Sequence, residues 1–404
     1  MRQAKGGEIP MPHHRPESAP RPAISRFAPF AELSRDNRLI ALSWFLWGVS
    51  EGVWFYVYPL YIKSLGADPE EIGFVISVAM MGMAATFIPA GLLADRYSRK
   101  KIMLAGYLLG LFSLILVAVA PDWRALLPGF LLYYMSAFIV PAMNSYIANA
   151  SEGQDLNRVF TMMTAAYSTG IIFSPALGGW LGERVGMRKV FLLSASLIVL
   201  STLAILPLKE QPVSCQSAAL RIKPLLRHRL FWGLSLGVAF IYLVTNLGWP
   251  LTPNFLQEVR GLDLSLIGAL ATAQSLGAVF IAIFLGRVSR GGWGMLAAAL
   301  LIWVSYGILL LFPFPFAIAG AYFLRGSFSA LASLSSALVG KILESPSMGL
   351  GFGLFATMRG LALVPGPYIA GCLYALRPDL PFLASIAFIP AVMLLTTIVL
   401  RRSL

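Results

Sequence analysis

The chain has 404 residues, of which 58% are hydrophobic and 12% charged, with a formal charge of +13 and a mean hydropathy of +0.76. That balance leaves too little polar surface to cover a string of soluble domains, so it predicts an all-α polytopic membrane protein. The positive charge clusters between apolar spans with no basic patch interleaved with exposed aromatics, which makes anionic lipid its expected partner and excludes nucleic acid.

Met1 to Asn37 is rich in Pro and Arg and lacks the apolar core of a signal peptide, so it reads as a disordered cytoplasmic tail. Its neighbouring His13 and His14 are too few for a metal site, and no metal or cofactor is expected. Cys215 in a polar loop and Cys372 in a span occupy different environments and predict no disulfide.

Twelve apolar segments follow, each near the roughly 20 residues needed to cross a bilayer. They are Leu39 to Ile62, Ile72 to Ala94, Ile102 to Ala120, Ala125 to Ala148, Phe160 to Leu181, Val190 to Leu206, Phe231 to Gln257, Leu266 to Gly286, Gly294 to Phe312, Phe316 to Gly340, Leu350 to Ala375 and Phe382 to Leu400. An inside N-terminus puts 22 of the 31 Lys and Arg residues in the cytoplasmic tails and loops and 7 in the outer loops. Only Arg325 and Arg359 then remain in spans, so both termini are expected in the cytoplasm, in a prokaryotic plasma membrane.

The first segment contains Trp44, Trp47, Glu51, Trp54, Tyr58 and Tyr61 at spacings of three and four, which predicts one helical face carrying a carboxylate among rings. The longest polar link, Lys209 to Arg229, separates the sixth segment from the seventh and includes a basic, interfacial piece. The expected organisation is a tail (1–37), a six-helix half (38–207), a linker (208–230) and a second six-helix half (231–404). Internal offsets support duplication. Gly73, Gly82 and Gly91 recur as Gly268, Gly277 and Gly286, Pro175 and Gly179 as Pro367 and Gly371, Glu152 as Glu344, and Pro59 as Pro253. Two related halves suggest a transporter with its site between them near the midplane.

Between the second and third segments stands Gly91-Leu-Leu-Ala-Asp95-Arg96-Tyr-Ser98-Arg99-Lys100-Lys101. It resembles the loop signature G-x-L-a-D-r-x-G-r-[KR]-[KR] of the major facilitator superfamily, with Ser98 at its second Gly. Gly170-Ile-Ile-Phe-Ser174-Pro175-Ala-Leu-Gly178-Gly179 resembles the G-x-x-x-G-P-x-x-G-G element of that family's proton-coupled drug and solute exporters, with Ser174 at its central Gly. The resemblance spans the chain after the tail and implies two six-helix bundles. It also implies a cytoplasmic gate motif at Gly91, Asp95, Arg96 and Arg99, and packing or kink positions at Gly170, Pro175, Gly179, Pro367 and Gly371. The membrane Arg that many such exporters carry in span four is replaced here by Tyr133 and Tyr134. The second-half counterpart of the loop, Gly286 to Arg290, puts Arg290 where Asp95 would be.

Glu51, Arg325 and Arg359 lie about 10 residues into their spans, at a depth of roughly 15 Å. Isolated charges there are costly, so they should face a cavity or pair with one another. The family's placement of spans one, four, seven and ten around a cavity implies substrate-binding residues Trp47, Glu51, Trp54, Tyr58, Tyr133, Tyr134, Asn144, Asn246, Trp249 and Arg325, with Arg359 beside them. A buried Glu can change protonation as the cavity opens to each side, so Glu51 is the expected proton-coupling residue.

The expected function is alternating-access transport of a small organic or amphiphilic solute, coupled to protons as export and carried out by a monomer. The competing readings are uptake of an organic anion or sugar, flipping of a lipid or glycolipid, and a non-transporting membrane receptor. No His/Asp/Ser or Cys/His constellation lies in the spans and no GxxxxGK[ST] loop is present, so neither an enzyme nor an ATP-driven pump is expected.

Overall fold

The computed structural model describes residues 33–151, 153–211, 229–288, 292–342 and 348–401, with backbone only for 87–96, 157, 229, 348–350 and 399–401. Most of the expected tail and linker, with Glu152, Glu344 and Arg290, lies outside the described residues. So do the side chains of Asp95 and Arg96.

The described residues form α1 (Arg35–Phe55), α2 (Tyr58–Ser64), α3 (Pro69–Arg96), α4 (Arg99–Val119), α5 (Trp123–Met135), α6 (Ile139–Asn149), α7 (Leu156–Val185), α8 (Met187–Ile205), α9 (Arg229–Leu247), α10 (Thr252–Glu258), α11 (Leu264–Val288), α12 (Trp293–Leu311), α13 (Pro315–Arg325), α14 (Ser327–Gly340), α15 (Met348–Leu363), α16 (Pro365–Leu376) and α17 (Leu380–Arg401). Joined across their short breaks they make twelve rods, and each apolar segment of the sequence falls within one rod to within a residue. Among the described residues seven helices are long and apolar enough to cross a membrane. The pair α1–α2, bent by 47°, makes an eighth.

The breaks have local causes. Pro59 has no N–H for the Phe55 carbonyl and its ring crowds it, so α1 ends there and the seven-residue α2 restarts with Pro59 in its first turn. Pro253 does the same in the first turn of α10, also seven residues long. The repeat offset that pairs Pro59 with Pro253 therefore pairs two broken rods. In the fourth rod Pro141 deprives the Ala137 carbonyl of a partner, and the chain tightens into a 3-10 turn at Ser136–Phe138 between α5 and α6.

The first six rods meet the last six through backbone contacts at repeated positions. An ideal Cβ on Gly268 of α11 would sit 2.5 Å from the Pro175 carbonyl of α7, and one on Gly179 would sit 2.5 Å from the Leu264 carbonyl. In the counterpart pair, Gly73 of α3 faces the Pro367 carbonyl and Gly371 of α16 faces the Pro69 carbonyl. Glycine is required at these sites because any side chain would part the rods. The same seam contains the Lys63–Glu258 ion pair at 2.6 Å, hydrogen bonds from Ser265 to Glu183, and the Tyr368 N–H donated to Ser77 at 3.0 Å.

Candidate functional site

Glu51 sits on α1, whose packing against α7 depends on small residues. A Cβ at Gly48 would strike the Tyr167 carbonyl, and one at Gly170 would lie 2.8 Å from the Val49 nitrogen. The resulting close approach brings a residue 116 positions away to the carboxylate: Tyr167 Oη donates to Glu51 Oε2 at 3.0 Å. Trp47 and Trp44 lie one and two turns below Glu51 on the same helix face.

These side chains line a cavity of about 300 Å³ together with Met83, Tyr107, Tyr133, Tyr134, Met143 and the broken stretch of the fourth rod, Ser136 to Val140. Trp47 packs edge-on to Tyr107 at 4.8 Å, and Trp44 edge-on to Tyr167 at 6.3 Å. Ser43 fixes Tyr107 from behind at 2.7 Å, and the Trp44 indole donates to the Met143 sulfur. Glu51 is the one charged residue among those lining the cavity. The arrangement offers a solute flat aromatic walls, polarisable sulfurs and a single carboxylate that can hold either a proton or a donor of the solute.

Arg325 lies elsewhere. It ends α13 at 2% exposure, with its guanidinium 4.8 Å from the Trp249 ring and 4.6 Å from the Phe328 ring. Arg359 stands 5.3 Å from the Tyr242 ring and 5.7 Å from that of Phe355. Neither Arg makes an ion pair with Glu51, whose partner is Tyr167 instead. A smaller space of about 50 Å³, lined by Tyr58, Pro59, Tyr134, Asn246, Trp249 and Pro253 among others, lies between the two sets of rods.

The structure thus brings Trp47, Glu51, Tyr133 and Tyr134 together in one cavity, and Tyr58, Asn246 and Trp249 in the neighbouring space. Asn144 lines neither. The expected continuous face is divided by the α1–α2 bend. Trp54 is fully buried against Phe130, Tyr133 and Phe191, and the Tyr61 hydroxyl donates to the Val117 carbonyl, so this upper part of the stripe is packing and not lining. Arg99 donates to Gln211 at 3.1 Å, tying the loop after α3 to the chain that leaves the sixth rod. Tyr167, Tyr107, Met83 and Met143 were not singled out as lining residues from the sequence. The one sequence signal is that the spacing pairing Pro175 with Pro367 also pairs Tyr167 with Arg359, a polar position at matching depth.

A family model described as the Major Facilitator Superfamily matches residues 39–290. The chain is 23% identical over 350 residues to the quinolone resistance protein NorA of Staphylococcus aureus strain MRSA252, covering 82% of this chain and 87% of that one. With NorA of strain MSSA476 the match is 26% over 194 residues and spans half of that relative. The multidrug resistance protein MdtG of Escherichia fergusonii is 28% identical over 301 residues, covering 70% of this chain and 72% of MdtG. In fold, the chain is similar to the nucleoside transporter NupG (TM-score 0.70, 17% identity, 90% of this chain and 98% of that one). It is likewise similar to a bacterial homologue of the human lysosomal transporter Spinster in an inward-facing, unoccupied conformation (TM-score 0.67, 18% identity, 91% and 92%).

Proposed function

The chain belongs to the Major Facilitator Superfamily, as a multi-pass membrane transporter, and from that premise we propose that it exports a small amphiphilic solute in exchange for protons. One observation carries the reading: Glu51 is the single charge in an aromatic cavity, held by a Tyr hydroxyl and free of any ion pair among the described residues. A carboxylate already neutralised by Arg would have no reason to change protonation; one held by a phenol and facing no cation can exchange a proton for a solute. The resistance relatives support export of an organic, ring-bearing solute, which flat Trp and Tyr walls suit.

With the N-terminus in the cytoplasm, the seam at Gly73, Gly179, Gly268 and Gly371 lies on the outer side, and the cavity wall from Ser136 to Met143 lies in the cytoplasmic half of its rod. This is then the outward-closed state, ready to load from inside. Solute binding displaces the proton from Glu51. Opening of the seam releases the solute, and a proton from outside reoccupies the carboxylate before the rods close again.

The test is transport of a fluorescent quinolone in proteoliposomes. Glu51→Gln should abolish movement driven by a pH gradient while sparing counterflow. Gradient-driven transport equal to that of the wild type would overturn the proposal.

A further inference from the structure

The last six rods hold a second polar cluster that the proton cycle does not use. Arg325 is 2% exposed, and a guanidinium does not shed its proton in a protein, so its charge is permanent. Its Nε and Nη1 have no protein hydrogen-bond partner. The two rings that sandwich it, Trp249 and Phe328, offer cation–π attraction, which is smaller than the cost of an unpaired charge at the middle of a membrane protein.

Among the described residues no carboxylate pairs with Arg325. From residue 229 onward the sequence has four acids, Glu258, Asp263, Glu344 and Asp379. Glu258 holds Lys63 and the Tyr374 hydroxyl, Asp263 accepts the Leu266 N–H at the start of α11, and Asp379 holds Arg377. Glu344 is outside the described residues, in the link between α14 and α15. Glu51 is engaged by Tyr167.

Around Arg325 the unmatched groups are able to donate. The Tyr242 and Tyr322 hydroxyls and the Asn246 amide nitrogen are buried without a partner. They belong to one contact chain: Tyr322 packs on Trp249 at 5.3 Å, and Tyr242 on Phe328 at 5.1 Å with Arg359 over its other neighbourhood. A permanent buried cation, a second cation nearby and several unmatched donors make a site whose missing component is an acceptor carrying negative charge.

We propose that this cluster binds an anion, with Arg325 as its main ligand and the Tyr242 and Tyr322 hydroxyls donating to it. Trp249 lines the space of about 50 Å³ between the two sets of rods and stands 4.8 Å from the Arg325 guanidinium. The anion is either free inorganic anion or the acidic group of a solute, and the same chemistry serves both.

The experiment uses the full chain in nanodiscs in gluconate buffer at fixed ionic strength. Sodium chloride or sodium benzoate replaces gluconate while unfolding is followed by scanning fluorimetry. The wild type should gain several degrees in Tm, and Glu51→Gln should gain as much, which separates this site from the proton-coupling one. Arg325→Met should gain nothing. A shift with chloride identifies free inorganic anion, and one with benzoate alone identifies a solute's acidic group; either supports the site. A wild type indifferent to both salts, or an equal gain in Arg325→Met, would overturn it. Should Arg325→Met not fold, the emission change on adding either salt is compared between the wild type and Trp249→Phe. The change should be lost in the variant, and identical changes in the two proteins would overturn the site.

Discussion

Glu51 and Arg325 are opposite charges placed near the middle of their rods, one in the first six and one in the last six, and their surroundings differ throughout. Glu51 is half-buried, takes one phenolic hydrogen bond and faces a cavity of about 300 Å³. Arg325 is sealed between two rings beside hydroxyls that find no partner. The backbone around them is nonetheless repeated, down to seven-residue helices restarted at Pro59 and Pro253 and glycine contacts that answer each other across the seam. Duplication has conserved how the rods break and meet, while the chemistry inside them has diverged. In the proposed cycle, an accessible acid in one half and an enclosed base in the other would give the path a polarity that a symmetric bundle would lack.

The largest effect should come from forcing the shared seam apart. Gly268→Leu places a side chain where even a Cβ would lie 2.5 Å from the Pro175 carbonyl and 2.9 Å from the Gly179 Cα. On the proposed reading, solute transport should fall by at least about a hundredfold because the closed seam cannot form. Spin labels flanking the seam should report a longer distance; an unchanged distance would show that the rods are not held there.

The next effect sharpens the division within the first rod. Trp54→Ala should cost about 3 kcal/mol of stability, since its ring fills a closed cluster with Phe130 and Phe191. Trp47→Ala, at the cavity wall, should instead weaken quinolone binding by roughly tenfold with little change in Tm. The reverse pattern in melting and binding assays would place the solute at the α1–α2 bend.

The smallest effect concerns the rim of the seam. Hydrogen bonds from the Ser265 hydroxyl and backbone N–H hold the Glu183 carboxyl below its ordinary range. A depressed carboxyl supports the closed seam above that range and loses this support as pH falls through the lowered value. Spin-label distances should therefore lengthen slightly on acidification, and Glu183→Gln should remove that pH dependence. The exposed Lys63–Glu258 pair contributes at most about 1 kcal/mol and should weaken in salt.

The rods were legible in the sequence because hydropathy reports length, and the seam was partly legible because glycine and proline kept their spacing in both halves. Glu51 was legible as a deep charge for the same reason. Its partner was not. The offset that equates Tyr167 with Arg359 fixes depth along a helix but not which way a side chain points; the deep charges were expected to face a cavity or pair with one another, and Tyr167 donates to Glu51 instead. The aromatic stripe misled in a related way: periodicity assumes a straight helix, and Pro59 bends this one between Glu51 and Tyr58. Tyr107 and the methionines carry no charge and no motif, and only packing reveals them as walls of the cavity.

The most direct test of Glu51 as the exchange site is proton release on solute binding, measured with purified protein in weakly buffered detergent across a pH series. The wild type should release on the order of one proton when a quinolone binds, and Glu51→Gln none while still binding it. Equal release from both proteins, or binding to the wild type with no release at any pH, would contradict the account.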